Sequence, residues 1–156
     1  MTSELTPEAF VRGLESLGAG ELSLADALGM KRQVLDVLLD KALGLMTFGK
    51  HDQAEVELTR LTLVDGHSVM PPFALGALRA ERQQFAQAID AYEEAEKRAE
   101  RLGLPSLVGR VALCKGHAWM ALGNAESARI AFATAQSKGD PLIARDADKL
   151  LAVMEA

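Results

Sequence analysis

The residues able to do chemistry are few. His51, His67, His117 and Cys114 are the candidate metal ligands and nucleophiles of this 156-residue chain. No two of the histidines stand at the short spacing that metal sites use, and Cys114 has no obvious partner. His51-Asp52 reads as a turn, with Asp52 better placed as a helix cap. Cys114 is the single cysteine, so an internal disulfide is excluded. A lone cysteine on a helix behaves as a small buried hydrophobe. Gly18-Ala19-Gly20 lacks both a preceding strand and the third glycine of a phosphate loop; it reads as a helix terminator. Glu93, Glu94 and the run from Glu96 to Arg101 read as a solvated charged face with i,i+4 pairs worth little each. No nucleophile–base pair can be argued. The expectation is a protein with no catalytic residue, no metal site and no cofactor.

The elements that hold these residues carry the information. Ala42, Gly76 and Gly116 align; so do Gly49, Gln83 and Gly123; Ala54, Ala88 and Ala128; Leu58, Tyr92 and Phe132; Leu61, Ala95 and Ala135. The first two members of every set are 34 residues apart, and the third lies 40 further on. A fixed period with small residues at set places marks a helix–turn–helix solenoid of the tetratricopeptide (TPR) type. The steric logic is that two helices cross closely only where neither is bulky. The small residue of the first helix should meet the small residue of the second (Ala54, Ala88, Ala128). The large residue one turn on fills the groove beside it. Glycine at Gly49 and Gly123 permits the left-handed conformation that ends a helix. Gln83 departs from this, and a strained turn is expected there.

The expected fold is all-α: three such repeats in a short solenoid, with N-terminal helices and a C-terminal capping helix. The chain reads as a single domain over 1–156, with N-terminal helices at 5–28, repeats at 35–68, 69–102 and 109–140, and a last helix at 141–156. Thr6-Pro7-Glu8 starts a helix carrying Phe10, Leu14 and Leu17 on one side. Ser23 to Leu28 opens with Ser-x-x-Asp, which resembles a capping box. The first helix of repeat one runs from about Gln33 to Phe48, and its second starts near Asp52. Pro71-Pro72, Phe85, Pro105, Asn124 and Asp140-Pro141 open the remaining helices. All five prolines fall where a helix begins, the place where proline is tolerated. The six extra residues before the third unit are assigned to a lengthened second helix and its turn. In the last helix Ile143, Ala147, Leu150 and Met154 share one face, as expected of a cap over the final repeat.

Apolar residues make up 49% of the chain, enough for a continuous core. The formal net charge is −5, with both signs interspersed, which argues against nucleic acid. Nothing suggests an anionic membrane surface as partner. No signal peptide or membrane span is visible, so the cytoplasm is the expected location.

First helices line the concave side of such a solenoid. Counting from the small-residue anchors, the inward side chains are Leu39, Leu43 and Met46 in unit one. They are Met70, Phe73, Ala77 and Ala80 in unit two, and Arg110, Leu113, His117 and Met120 in unit three. Apart from Arg110 and His117, the face is apolar. That argues for a bound protein or peptide segment. The alternative for Leu39 and Leu43 is burial under the N-terminal helices. Three methionines let the face repack around different side chains. TPR modules that grip a C-terminal carboxylate use lysine, asparagine and arginine here; Leu39, Leu43 and Phe73 offer no such clamp. An extended or helical segment with apolar anchors fits better.

The stretch from Leu35 to about Gln136 resembles the class II chaperones of type III secretion, which hold translocator proteins. The resemblance rests on Ala9-Phe10 through Gly18 followed by a short helix; on Gly49-Lys50-His51-Asp52-Gln53-Ala54 leading to Leu61 and Val64-Asp65; and on Leu75-Gly76-Ala77-Leu78-Arg79, then Phe85-Ala86-Gln87-Ala88-Ile89-Asp90-Ala91-Tyr92. It implies a cytoplasmic chaperone without ATPase activity. Such a protein binds an extended, proline-containing translocator segment in the groove formed by Leu39, Leu43, Met46, Met70, Phe73 and Ala77. It also implies that residues 5–28 can mediate a homodimer. The rival expectation is a TPR adaptor or regulator that scaffolds a multiprotein complex.

Overall fold

The computed structural model describes residues 7–18 and 22–155, leaving aside the side chains of residues 7–10, 13 and 14. Thr6, Ala19, Gly20 and the side chains of Phe10 and Leu14 lie outside it. The described residues form helices throughout: α1 (Pro7–Gly18), α2 (Leu24–Ala27), α3 (Arg32–Thr47), α4 (His51–Val64), α5 (Met70–Glu81), α6 (Phe85–Arg101), α7 (Pro105–Ala121), α8 (Ala125–Lys138) and α9 (Pro141–Glu155). From α3 onward each helix packs on the next in the chain. Contacts also join α3 to α5, α5 to α7 and α7 to α9. The first helices of the three pairs therefore form one row, with α9 continuing it.

Local chemistry sets the helix starts. Proline occupies the first turn of α5 and α7, where its missing N–H costs nothing. Ser23 accepts from the Asp26 N–H while the Asp26 carboxylate accepts from the Ser23 N–H, a complete capping box on α2. The Asn124 side chain accepts from the Ser127 N–H at 3.0 Å. Asp140 Oδ1 accepts from the N–H groups of Leu142 and Ile143, both at 3.0 Å, and opens α9. The turns inside the three pairs carry Gly49 (φ 70°), Gln83 (φ 61°) and Gly123 (φ 75°). Gln83 is the one non-glycine residue with positive φ among the described residues, so the middle turn is strained as expected.

The packing refines the steric expectation. Ala54, Ala88 and Ala128 have no exposed surface, but the anchor glycines face the large residue instead. A Cβ built on Gly76 would lie 2.6 Å from Tyr92 ring atoms, and one on Gly116 2.4 Å from Phe132 Cε1. The glycine vacates the space that the aromatic ring of its own pair fills. Unit one has less volume at the same positions, Ala42 and Leu58, both fully buried in one core cluster. A second close approach joins Gly109 of α7 to the Gly139 backbone; a Cβ on Gly109 would meet it at 2.3 Å.

Three sequence expectations are corrected. Asp52 does not cap α4: the cap position is Lys50, without a side-chain bond. Asp52 instead pairs with Arg82 at 2.9 Å, while Glu55 accepts from Arg79 Nε at 3.0 Å and Arg82 Nη1 at 2.9 Å, tying unit one to unit two. The run from Glu96 to Arg101 is not a uniformly solvated face. Arg98 is only 5% exposed. Its guanidinium donates to the carbonyls of Asp65 (2.6 Å), Thr62 (2.8 Å) and Ser68 (3.0 Å) and to Glu94 (2.6 Å). A cation thus satisfies the open carbonyl end of α4. The six extra residues are not confined to α6: α6 and α7 are both 17 residues, against 14 and 12 in α4 and α5.

On α9, Ala147 is fully buried and Ile143, Leu150 and Met154 are half-buried. Ile143 packs on Ala112, Ala135 and Ala147, which closes the end of the third pair. No described helix is long and apolar enough to cross a membrane.

Candidate functional site

The reactive side chains are dispersed. His51 opens α4. His67 Nε2 sits 2.9 Å from Asp26 Oδ2 and fastens α2 to the α4–α5 connection. The bonds from the Ser23 hydroxyl and backbone, with a smaller contribution from His67, hold the Asp26 carboxyl below its ordinary pKa. His117 rests edge-on against Phe132, with ring centroids 5.4 Å apart. Burial pushes the Cys114 thiol pKa up, against a weaker opposing pull from Arg110. Burial likewise raises the Tyr92 phenol, the more so with Cys114 nearby.

The row of first helices forms a continuous face of different character. Relative to the anchors Ala42, Gly76 and Gly116, it is built from residues six and three before and one and four after. Three before come Leu39, Phe73 and Leu113. One after come Leu43, Ala77 and His117. Four after come Met46, Ala80 and Met120, and six before come Asp36, Met70 and Arg110. None of the ten residues expected to line the groove is taken into the core. Leu39, Leu43, Met46, Phe73, Ala77 and Leu113 are half-buried, while Met70, Arg110, His117 and Met120 are exposed. Leu39, Leu43 and Met46 rest on the core of unit one, which contains Leu35, Ala42, Leu58 and Leu61. Phe73 leans on Tyr92, with ring centroids 6.0 Å apart and planes tilted by 49°. Each of these side chains therefore has a packed base and an open side, the arrangement of shallow apolar sockets.

No family model and no curated protein matches the sequence. Solved structures match over most of the chain. A type III secretion complex from Aeromonas hydrophila aligns with 24% identity over 92% of this chain and 95% of its own, at a TM-score of 0.81. PcrH in complex with the chaperone binding region of PopD aligns with 20% identity over 81% and 95%, at 0.72. SycD, the type III secretion translocator chaperone of Yersinia enterocolitica, aligns with 18% identity over 86% and 97%, at 0.71. The chain shares the fold of the translocator chaperones.

Within that fold α9 does more than the cap role expected of it. It contacts α8 and α7 as α7 contacts α6 and α5, so it takes the place of a fourth first helix. Ala147 stands six residues after the helix start, as Gly76 does in α5. The same offsets put Ala144, Asp148 and Leu151 on the continued face, positions the sequence reading left out. Ala144 and Leu151 are half-buried and Asp148 is exposed. The signal was present in the spacing from Pro141 to Ala147 but is weak, because one anchor in one helix does not by itself mark a repeat. α9 also carries a charged side, where Asp146 lies near both Arg145 and Lys149.

Proposed function

We propose that this chain is a cytoplasmic, non-enzymatic chaperone that holds an apolar, extended segment of a secreted translocator-type client across the face of α3, α5 and α7. The observation that carries the reading is the row of half-buried Leu, Met, Phe and Ala side chains left open on their outer side. Burial of apolar surface at about 25 cal/mol per Å² makes such a row a site for an apolar strand. The fold supports the reading, because PcrH, a structural neighbour, is known in complex with the chaperone binding region of PopD. The sockets suit alternate side chains of an extended chain, which present to one face every second residue.

The test is co-expression with the translocators encoded alongside export-apparatus genes in the same genome, followed by pull-down. Phe73→Glu alone is a poor probe, since Phe73 also supports Tyr92. Ala77→Arg places a long cation on the open side and should abolish capture with unchanged helicity. Capture that survives Ala77→Arg removes the groove assignment.

A second reading, an adaptor or self-associating module, is favoured by one feature. The outer flank of α3, where a preceding second helix would pack in a longer array, exposes Val37 by 67% and Phe48 by 80%. A homodimer through residues 5–28 would use this end of the molecule, though part of that span lies outside the described residues. Val37→Asp with Phe48→Asp, followed by light scattering, separates the readings: capture should survive while any dimer is lost.

A further inference from the structure

The face changes chemistry along its length. On α3 its polar member is the carboxylate of Asp36, engaged by Arg32 Nε at 3.0 Å. On α5 the members are apolar: Met70, Phe73 and Ala77. On α7 they are Arg110 and His117 around Leu113. Arg110 is the one cation at these positions among the described residues, and it is barely engaged. Its side chain is 53% exposed, and its nearest carboxylate oxygen is Asp140 Oδ2 at 3.8 Å. Asp140 is itself occupied, its other oxygen accepting two N–H groups of α9. Asp148, the acid next along the row, accepts from Gln136 Nε2 at 2.8 Å. By contrast Arg79, Arg82, Arg98 and Lys115, off this face, each sit within 3.1 Å of a carboxylate.

From this asymmetry we infer that the bound segment carries an Asp or Glu beside its apolar anchors, taken up by Arg110 while the anchors occupy the α5 and α3 sockets. The inference rests on the reading of the face given above. A guanidinium accepts a carboxylate through paired N–H donors. The same carboxylate slid toward α3 would meet Asp36, so the charge fixes the register of a segment whose apolar contacts alone permit slippage.

The probe is a set of labelled 14-residue peptides with a common alternating Val/Leu core and one proline. A single Glu, Gln or Lys stands at one end or the other, so that both chain directions are covered. Fluorescence anisotropy should show the Glu peptide binding at least tenfold tighter than the Lys peptide for one of the two ends. The preference should shrink in high salt. Arg110→Glu should invert it, Arg110→Gln should flatten it, and Lys149→Glu on the charged side of α9 should leave it unchanged. Circular dichroism checks each variant, and Arg110→Gln serves if the reversal disturbs folding. Equal affinity for Glu, Gln and Lys peptides, or a preference indifferent to Arg110, overturns the inference and leaves the apolar face standing. Failure of every peptide to bind the unmodified chain overturns the face assignment itself, and the inference with it.

Discussion

Replacing Gly116 by alanine should destabilise the protein, although the same change elsewhere in a helix is favourable. A Cβ there would lie 2.4, 2.6 and 3.0 Å from Cε1, Cδ1 and Cζ of Phe132. Comfortable carbon–carbon contact is about 3.5–4.0 Å, so the ring or the helix must retreat by roughly 1 Å. Phe132 has no exposed surface, and His117 braces its ring edge-on, which leaves it little room. Overpacking of this kind costs about 1–3 kcal/mol. The gain in helix propensity from Gly to Ala is about 1 kcal/mol. The net expectation is a loss of about 1 kcal/mol. Gly44 is the internal control: it is interior to α3, and nothing lies within 4 Å of its Cβ position. Gly44→Ala should therefore gain about 1 kcal/mol. Urea unfolding followed at 222 nm should give the two midpoints moving in opposite directions at unchanged m-value. A Phe132→Leu background should soften the Gly116→Ala loss by more than about 0.5 kcal/mol, because the two sites share one contact. If Gly116→Ala stabilises as much as Gly44→Ala, the aromatic ring does not fill the glycine's space and the packing account fails.

Other expectations follow from single features. Arg98→Met should cost about 3 kcal/mol or more, because three carbonyls and Glu94 lose a buried cationic donor; a change in urea midpoint no larger than that of Arg129→Met on the surface would contradict this. Gln83→Gly should relieve roughly 1 kcal/mol of left-handed strain, partly offset by the freedom of glycine in the unfolded chain. A rise in Tm of about 1–2 °C is expected for a chain of this size, and a fall would show that Gln83 makes a contact worth more than the strain. Since burial holds the Cys114 thiol protonated to higher pH, a disulfide reagent at pH 8 should label the folded protein slowly and the urea-unfolded protein at once; equal rates would place the thiol in solvent.

Much of this architecture was legible in the residues. Proline and Ser, Asn or Asp at helix starts are local signals whose physics needs no partner, and Ser23, Asn124 and Asp140 bond as their types imply. The small-residue period gave the pairing of helices but not its contact: the glycine's neighbour is the ring of Tyr92 or Phe132, because a ring fills the crossing that two small residues would leave open. Charged residues misled where tertiary structure supplied an unusual partner. Arg98 stands seven residues after buried Ala91, on the inner face of α6, yet its type reads as surface. Asp52 has the type of a cap, but Arg82 of the next pair claims it. The lengthening shared by α6 and α7 was hidden because periodic anchors mark positions within helices and say little about their ends. Of the candidate face, most members were readable from anchor offsets; Asp36 and the α9 positions were not, because an aspartate on a helix surface reads as solvated and a lone anchor does not mark a repeat.

The most direct test of the central claim uses methionine methyl groups as position markers. Met46, Met70 and Met120 stand on the face of α3, α5 and α7, whereas Met30, packed on the unit-one core, and Met154, half-buried on α9, stand off it. The chain carrying 13C-methyl methionine is titrated with an extended Val/Leu peptide containing one proline, and the methyl spectrum is recorded. The account predicts that the resonances of Met46, Met70 and Met120 move together with one dissociation constant while Met30 and Met154 stay in place. Saturable binding that shifts Met30 or Met154 and leaves the three face methionines unmoved would contradict it.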